Sequence, residues 1–191
     1  MRPGTRALGI AESYSGSGDE TFATLAGAVV RADRTVDGIV FDRTTVGGLD
    51  ATDAICRLVD RDDVRVVLLS GIALSWFNIV DLRAVADRVD RPVLSVSYED
   101  SDGLEAPLRR EFDGEPLRRR LEIYRSLPPR RSVSVDGRTV FVRSVGDIDV
   151  EEYVRRFTFD SMRPEPVRVA QLAARAAHSY RCHDPTTNKS K

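Results

Sequence analysis

Val64-Arg65-Val66-Val67-Leu68-Leu69 is the stretch on which the fold turns. Five of its six side chains are apolar and three are β-branched, the pattern of a strand covered on both faces in the middle of a sheet. Downstream, residues 79–89 carry a helical apolar period and residues 92–98 another strand, so the connection is long enough to be a parallel crossover. Upstream, residues 50–60 place Ala51, Ala54, Ile55, Leu58 and Val59 at three-and-four spacing, one face of a helix approached through the turn Gly47-Gly48. Earlier still lie three strand-like segments, residues 6–11, 21–31 and 35–42. The turns between them, Ser15-Gly16-Ser17-Gly18 and Ala32-Asp33-Arg34, hold no helix and imply antiparallel pairing. The order is βββαβαβ, which predicts an α/β fold built on a mixed sheet.

Beyond residue 103 the pattern changes to arginine-rich helical stretches over 104–112 and 115–127, ended by Pro128-Pro129. A hairpin follows, 132–135 and 139–142 around Asp136-Gly137, and then two helices over 150–159 and 166–178, the second with Pro166 in its first turn. This is a C-terminal helical and hairpin extension of the sheet. The 191 residues suit a single domain over 1–181, with residues 182–191 as a frayed tail.

Hydrophobic residues make up 41% of the chain and charged residues 31%, which excludes a disordered, collagen-like or disulfide-built protein. The net charge of −1 hides an asymmetry: residues 1–103 hold 17 acidic and 11 basic side chains, residues 104–191 hold 13 and 18. Arginine outnumbers lysine 27 to 2, a skew read as compositional background. Two cysteines, Cys56 and Cys182, build no disulfide framework and fit a reducing cytoplasm. The longest uncharged apolar stretch, residues 66–80, is too short for a bilayer and is interrupted by Ser70, Gly71, Ser75 and Asn78, so no membrane span is expected. The first ten residues lack the apolar segment of a secretory signal.

Most catalytic classes lack their residues. The only histidines are His178 and His183, and Ser70 stands in Leu68-Leu69-Ser70-Gly71-Ile72 rather than in a nucleophile-elbow motif. Cys182-His183 offers two ligands where structural zinc takes four. Ser15-Gly16-Ser17-Gly18 leads into a strand, so it presents no helix N-terminus to a pyrophosphate. The acids that could converge at strand ends are Glu12, Asp42, Asp50, Asp53 and Asp81. Asp50 with Asp53, and Asn78 with Asp81, have capping-box spacing, and helix capping accounts for all four. Glu12 has no such role and falls one residue past the predicted first strand. The basic clusters are Arg109-Arg110, Arg118-Arg119-Arg120 and Arg130-Arg131. Three consecutive arginines on a helix cover more than half its circumference, so they cannot all meet one partner.

Several segments resemble an uncharacterised archaeal family, domain of unknown function 99, that is itself similar to endonuclease V. They are Leu8-Gly9-Ile10, Gly27-Ala28-Val29-Val30-Arg31, Val36-Asp37-Gly38, Gly48-Leu49-Asp50-Ala51-Thr52, Phe77-Asn78-Ile79-Val80-Asp81, Arg91-Pro92-Val93 and Pro164-Glu165-Pro166-Val167-Arg168-Val169-Ala170, in order along nearly the whole chain. The resemblance implies a ribonuclease-H-like, endonuclease-V-like fold, and an activity in which Mg²⁺ assists cutting near deaminated bases such as inosine. It also implies aspartates on the first strand and at the end of the central strand, in patterns such as G-I-D and L-D-G. Here those positions read Gly9-Ile10-Ala11 and Leu69-Ser70-Gly71, and Trp76 stands where the family carries a small glycine. A methyl and a hydroxyl do not replace two carboxylates around Mg²⁺.

The expectation is therefore a catalytically degenerate nucleic-acid-binding module without a cofactor. Its candidate cleft residues are Glu12, Asp50, Asp53, Asn78 and Asp81, and its candidate phosphate contacts are Arg118, Arg119, Arg120 and Arg168. One alternative is an active Mg²⁺-dependent endonuclease on inosine-containing DNA or RNA, with Glu12, Asp50, Asp53 or Asp81 as displaced ligands. Another is a protein-interaction module using Trp76 and the Ala173, Ala176 and Ala177 face of the last helix.

Overall fold

The computed structural model describes residues 1–16, 20–159 and 161–182. Strands β1 (Arg6–Ser13), β2 (Phe22–Arg31) and β3 (Val36–Thr45) form an antiparallel meander. Helix α1 (Ala51–Leu58) leads to β4 (Val64–Ser70), which lies parallel to β1. A short hairpin, β5 (Ala73–Leu74) and β6 (Asn78–Ile79), precedes α2 (Leu82–Val89) and β7 (Val93–Ser97), which is parallel to β4. The remaining elements are α3 (Glu105–Glu111), α4 (Gly114–Ser126), β8 (Arg131–Val135), β9 (Arg138–Val145), α5 (Val150–Phe157) and α6 (Glu165–Cys182). The seven-stranded sheet has the order β3-β2-β1-β4-β7-β9-β8, with the β8–β9 hairpin extending it antiparallel from β7.

β4 is central and buried on both faces, as its sequence predicts. Val67 and Leu69 join the core under α1 and α2 with Leu8, Ile10, Leu25, Ile55 and Val85, while Val66 and Leu68 join the opposite core with Val154, Phe157 and Val167. Each large aliphatic side chain removed from water there contributes about 1.5–3 kcal/mol. Helix α6 crosses β1 closely enough that a Cβ on Gly9 would lie 2.0 Å from the carbonyl carbon of Pro166, so only glycine admits that approach.

Three expectations are corrected. β1 continues through Ser13, so Glu12 lies inside the strand and not beyond it. The helix predicted from residue 79 begins at Leu82, because Asn78 and Ile79 pair with Leu74 and Ala73 and the Asp81 carboxylate accepts the N–H groups of Arg83 and Ala84. The last helix continues through Cys182, the residue assigned to the tail; Ser17, Gly18 and His183 lie outside the described residues.

Candidate nucleic-acid interface

The carboxyl ends of β1 and β4 bring the two diagnostic positions together. Ile10 pairs with Leu69, so Ala11 and Ser70, the next residue of each parallel strand, are neighbours. Because side chains alternate along a strand, both lie on the face opposite Ile10 and Leu69, the face that α6 covers. There Ala11 packs with Ala28, Val30 and Ala170. A methyl and a hydroxyl meet at this point, and that donor set does not fit Mg²⁺, which takes hard oxygen ligands including carboxylates.

The acids have other engagements. Glu12 points to the α1 face, where its Oε1 accepts the Ser75 N–H at 2.6 Å, and Ser75 Oγ lies 3.0 Å from Thr44 Oγ1. Its Oε2 is buried without a hydrogen-bond partner among the described residues, and burial pushes the carboxyl pKa up despite the Ser75 hydrogen bonds. Asp50 precedes α1, but its side chain does not cap that helix. It accepts instead from Thr45 Oγ1 at 2.8 Å, from the Thr45 N–H at 3.1 Å and from Asn78 Nδ2 at 2.6 Å. Burial pushes the Asp50 carboxyl up, yet the bonds from Asn78 and Thr45 outweigh it and hold the pKa below its ordinary value. Asn78 is fully buried and its Oδ1 accepts the Ala51 N–H at 3.0 Å, so it caps α1 from a distant segment. Helix capping thus holds at Asp81, as the N-cap of α2 rather than the third residue of a box begun by Asn78, whereas Asp50 caps no helix and Asn78 caps α1. Asp53 is exposed and pairs with Arg88, and Asp42 pairs with Arg57 at 2.7 Å. The structure gathers Glu12, Asp50 and Asn78 around the foot of the β5–β6 hairpin and leaves Asp53 and Asp81 elsewhere.

That hairpin is held from below by Arg120, which is 3% exposed. Its guanidinium donates to the carbonyls of Phe77 at 3.1 Å, Gly48 at 3.0 Å, Pro116 at 3.0 Å and Gly47, and it lies 3.8 Å from the centre of the Phe112 ring. Burial lowers its pKa from the ordinary arginine value. At the tip, Trp76 and Phe77 both adopt φ of 58°, a left-handed conformation that costs about 1–2 kcal/mol for each non-glycine residue. Phe77 recovers part of this by packing against Leu108, Leu121 and Phe112. Trp76 remains 49% exposed.

The expected phosphate contacts do not converge. Arg118 pairs with Glu115 at 2.5 Å and Glu122 at 2.9 Å, Arg119 with Glu115 at 3.0 Å, and Arg168 with Glu165 at 2.6 Å. Arg120 is structural.

A cleft of about 540 Å³ opens instead at the carboxyl ends of β4 and β7, lined by Gly71, Ser95, Tyr124, Arg130, Phe141 and Arg143. Arg130 lies 3.9 Å from the centre of the Phe141 ring and Arg143 5.7 Å from that of Tyr124. Arg130 donates to the carbonyls of Glu99 and Ser101, and the Asp100 carboxylate 3.7 Å away is 90% exposed. Among the described residues, no carboxylate lies within 4.0 Å of Arg143. The sequence does not single out Arg143, Tyr124 or Phe141; the signal that points here is Arg130-Arg131 directly after two prolines. A more open depression of about 980 Å³ beside α5 is lined by Glu151, Glu152, Arg155 and Arg156, whose charges offset one another. A His/Cys/carboxylate group, Glu20, His178 and Cys182, gathers at the far end of α6, with Cys182 Sγ 3.6 Å from His178 Nε2 and His178 Nδ1 3.2 Å from Glu20.

No helix of the described residues is long and apolar enough to cross a membrane. Comparison with known proteins agrees with the topology. A UPF0215 protein of the archaeon Pyrobaculum calidifontis is 35% identical over 181 residues, which span 91% of this chain and 97% of the relative. The crystal structure of a protein of unknown function from Archaeoglobus fulgidus superposes with a TM-score of 0.78 at 25% identity, covering 91% of this chain and 98% of the other. Endonuclease V of Ciona intestinalis, in complex with a 24mer DNA containing an inosine followed by a ribo-adenosine, superposes with a TM-score of 0.58 at 12% identity, covering 92% and 86%. At that identity the likeness establishes a shared ribonuclease-H-like fold, the architecture of endonuclease V. The family described as Endonuclease dU matches residues 3–178, and the chain belongs to that family, is related to the archaeal UPF0215 proteins and shares the fold of endonuclease V.

Proposed function

We propose that the protein is a catalytically degenerate endonuclease-V-like module that binds nucleic acid without cutting it. The observation that carries this reading is the cleft beside Ser70, where two guanidinium groups and two aromatic rings line the carboxyl ends of parallel strands. Open α/β sheets bind ligands in the crevice outside those ends. Arginine supplies phosphate contacts and the rings supply stacking surfaces for bases. Ala11 and Ser70 leave this edge of the sheet without the paired carboxylates of a metal-assisted hydrolase. The DNA-bound Ciona relative supports a nucleic-acid partner for the same architecture.

The test is titration of inosine-containing single- and double-stranded DNA and RNA, with and without Mg²⁺ or Mn²⁺, followed by both anisotropy and cleavage. Binding without cutting is expected, with affinity falling steeply as salt rises and weakening in Arg143→Gln. The double variant Ala11→Asp/Ser70→Asp is expected to gain Mn²⁺ affinity by calorimetry. Metal-dependent cutting by the unaltered protein that disappears in Asp50→Ala or Asp81→Ala would replace this reading with an active nuclease using displaced ligands. Absent or salt-insensitive binding would point to a protein partner.

A further inference from the structure

Trp76 is strained and half exposed at the tip of the β5–β6 hairpin. The β5–β6 tip takes positive φ at two successive bulky residues, a conformation that glycine or asparagine adopts more readily. Phe77 is committed to the core through Phe112 and the cluster around Leu108, so its place is set by packing. Trp76 is half exposed: its indole meets Phe77 edge-on, at 6.0 Å between ring centres, and lies beside Gly47, where a Cβ would be 3.4 Å from Trp76 Cδ1. The tip beneath it is pinned. The Gly47 N–H donates to the Ser75 carbonyl at 2.8 Å, the Ser75 N–H to Glu12, and Arg120 donates to the carbonyls of Phe77, Gly47 and Gly48. A strained, half-exposed residue on a backbone pinned by hydrogen bonds suits a preorganised contact for a ligand, and such outliers concentrate at binding sites.

We infer that Trp76 is a stacking platform for an unpaired base of a single-stranded nucleic acid whose backbone runs through the arginine-lined cleft. This rests on the nucleic-acid reading above and names the conformation of its ligand. The same hairpin forms a wall of that cleft through Ala73, so ring and cleft belong to one rim of the sheet. The flat face of an indole accepts any base, and a paired base in a duplex offers no such face. A protein partner is the less favoured occupant, because its anchor would need a ring of exposed apolar neighbours. The side chains adjoining Trp76 in the hairpin are instead the buried Ser75, Phe77, which packs against the core, and the buried Asn78.

The protein's single tryptophan makes the test direct. The full chain is titrated with a 12-nucleotide oligothymidylate, the matching oligouridylate and a duplex of the same length, following intrinsic emission and the anisotropy of labelled strands. The expected result is saturable quenching by single strands at the concentrations that saturate anisotropy, with weaker binding of duplex. Trp76→Ala is expected to lose roughly 5- to 150-fold in single-strand affinity, the range seen when one base-stacking ring is removed, and Trp76→Phe to lose less than about threefold. Trp76→Gly relieves the strained φ, so it is expected to melt no lower than the unaltered protein while binding as poorly as Trp76→Ala. Single strands that bind without quenching, and equally well to Trp76→Ala, would overturn the stacking role and leave the nucleic-acid reading standing. Failure of the unaltered protein to bind any of the three at low salt would overturn that reading, and the platform with it. A blue shift that grows with protein concentration in the absence of nucleic acid would assign the ring to a protein contact and overturn the proposal.

Discussion

Replacing Arg120 by methionine is expected to cost about 3 kcal/mol of folding stability, although the arginine beside it is nearly dispensable. Methionine keeps apolar contact with Phe112 and removes every donor. Three of the accepting carbonyls, Phe77, Gly47 and Gly48, belong to the hairpin tip and the turn before α1, while the fourth, Pro116, is one turn back on α4. A hydrogen bond from a charged donor contributes about 1.5–3 kcal/mol. Three of them exceed the several kcal/mol by which burying one cation opposes folding, and the surplus is the predicted loss. Arg119→Met removes an exposed pair with Glu115 and is expected to cost less than about 1 kcal/mol. Urea unfolding followed by circular dichroism gives the global value. The emission of Trp76, in contact with the turn at Gly47, reports whether the tip loosens first. A loss below about 1 kcal/mol for Arg120→Met, or an equal loss for Arg119→Met, would refute the claim that this guanidinium is the clamp beneath the hairpin.

Glu12 gives the protein a pH signature. Burial raises its folded pKa above the ordinary 4.5, so the stability tied to this group is full below that value and is lost as pH rises through the folded pKa. Glu12→Gln is therefore expected to gain stability relative to the unaltered protein from pH 4.5 upward, and parallel stability–pH curves would contradict this. Gly9→Ala drives a methyl into the backbone of Pro166 and Val167, at 2.0 and 2.3 Å, and is expected to cost about 3 kcal/mol or more, read from the urea midpoint.

Much of the architecture is legible in the sequence because it rests on local periodicity. The Val64–Leu69 run and the turn-separated meander each carry their own pattern, whereas the last helix buries Pro166, Val167, Ala170 and Ala174 and not its Ala173, Ala176 and Ala177 face. The site is less legible because its bonds are not local. Asp50 and Asp53 have the spacing of a capping box, yet the cap of α1 is Asn78, 27 residues after Ala51. Arg118, Arg119 and Arg120 are equivalent as letters, and the helix turns one of them inward and leaves two in water. Arg143 has no cluster around it in sequence and joins Arg130 only because β9 pairs with β7. The β5–β6 hairpin was hidden in an apolar stretch too short to show an alternating pattern.

The close crossing of α6 over Gly9 has a consequence for how the chain is made. β1 is covered by α6, and residues 9 and 166 meet only once the chain as far as α6 has been made. Ala7, Ala11 and Ala28 therefore wait with their apolar face open to other chains, and closing so long a loop slows the final step. The meander can pair early, but the cover of its apolar face depends on α6, so stop codons or proteolysis ahead of residue 165 yield a sheet with an unprotected face rather than a smaller folded protein.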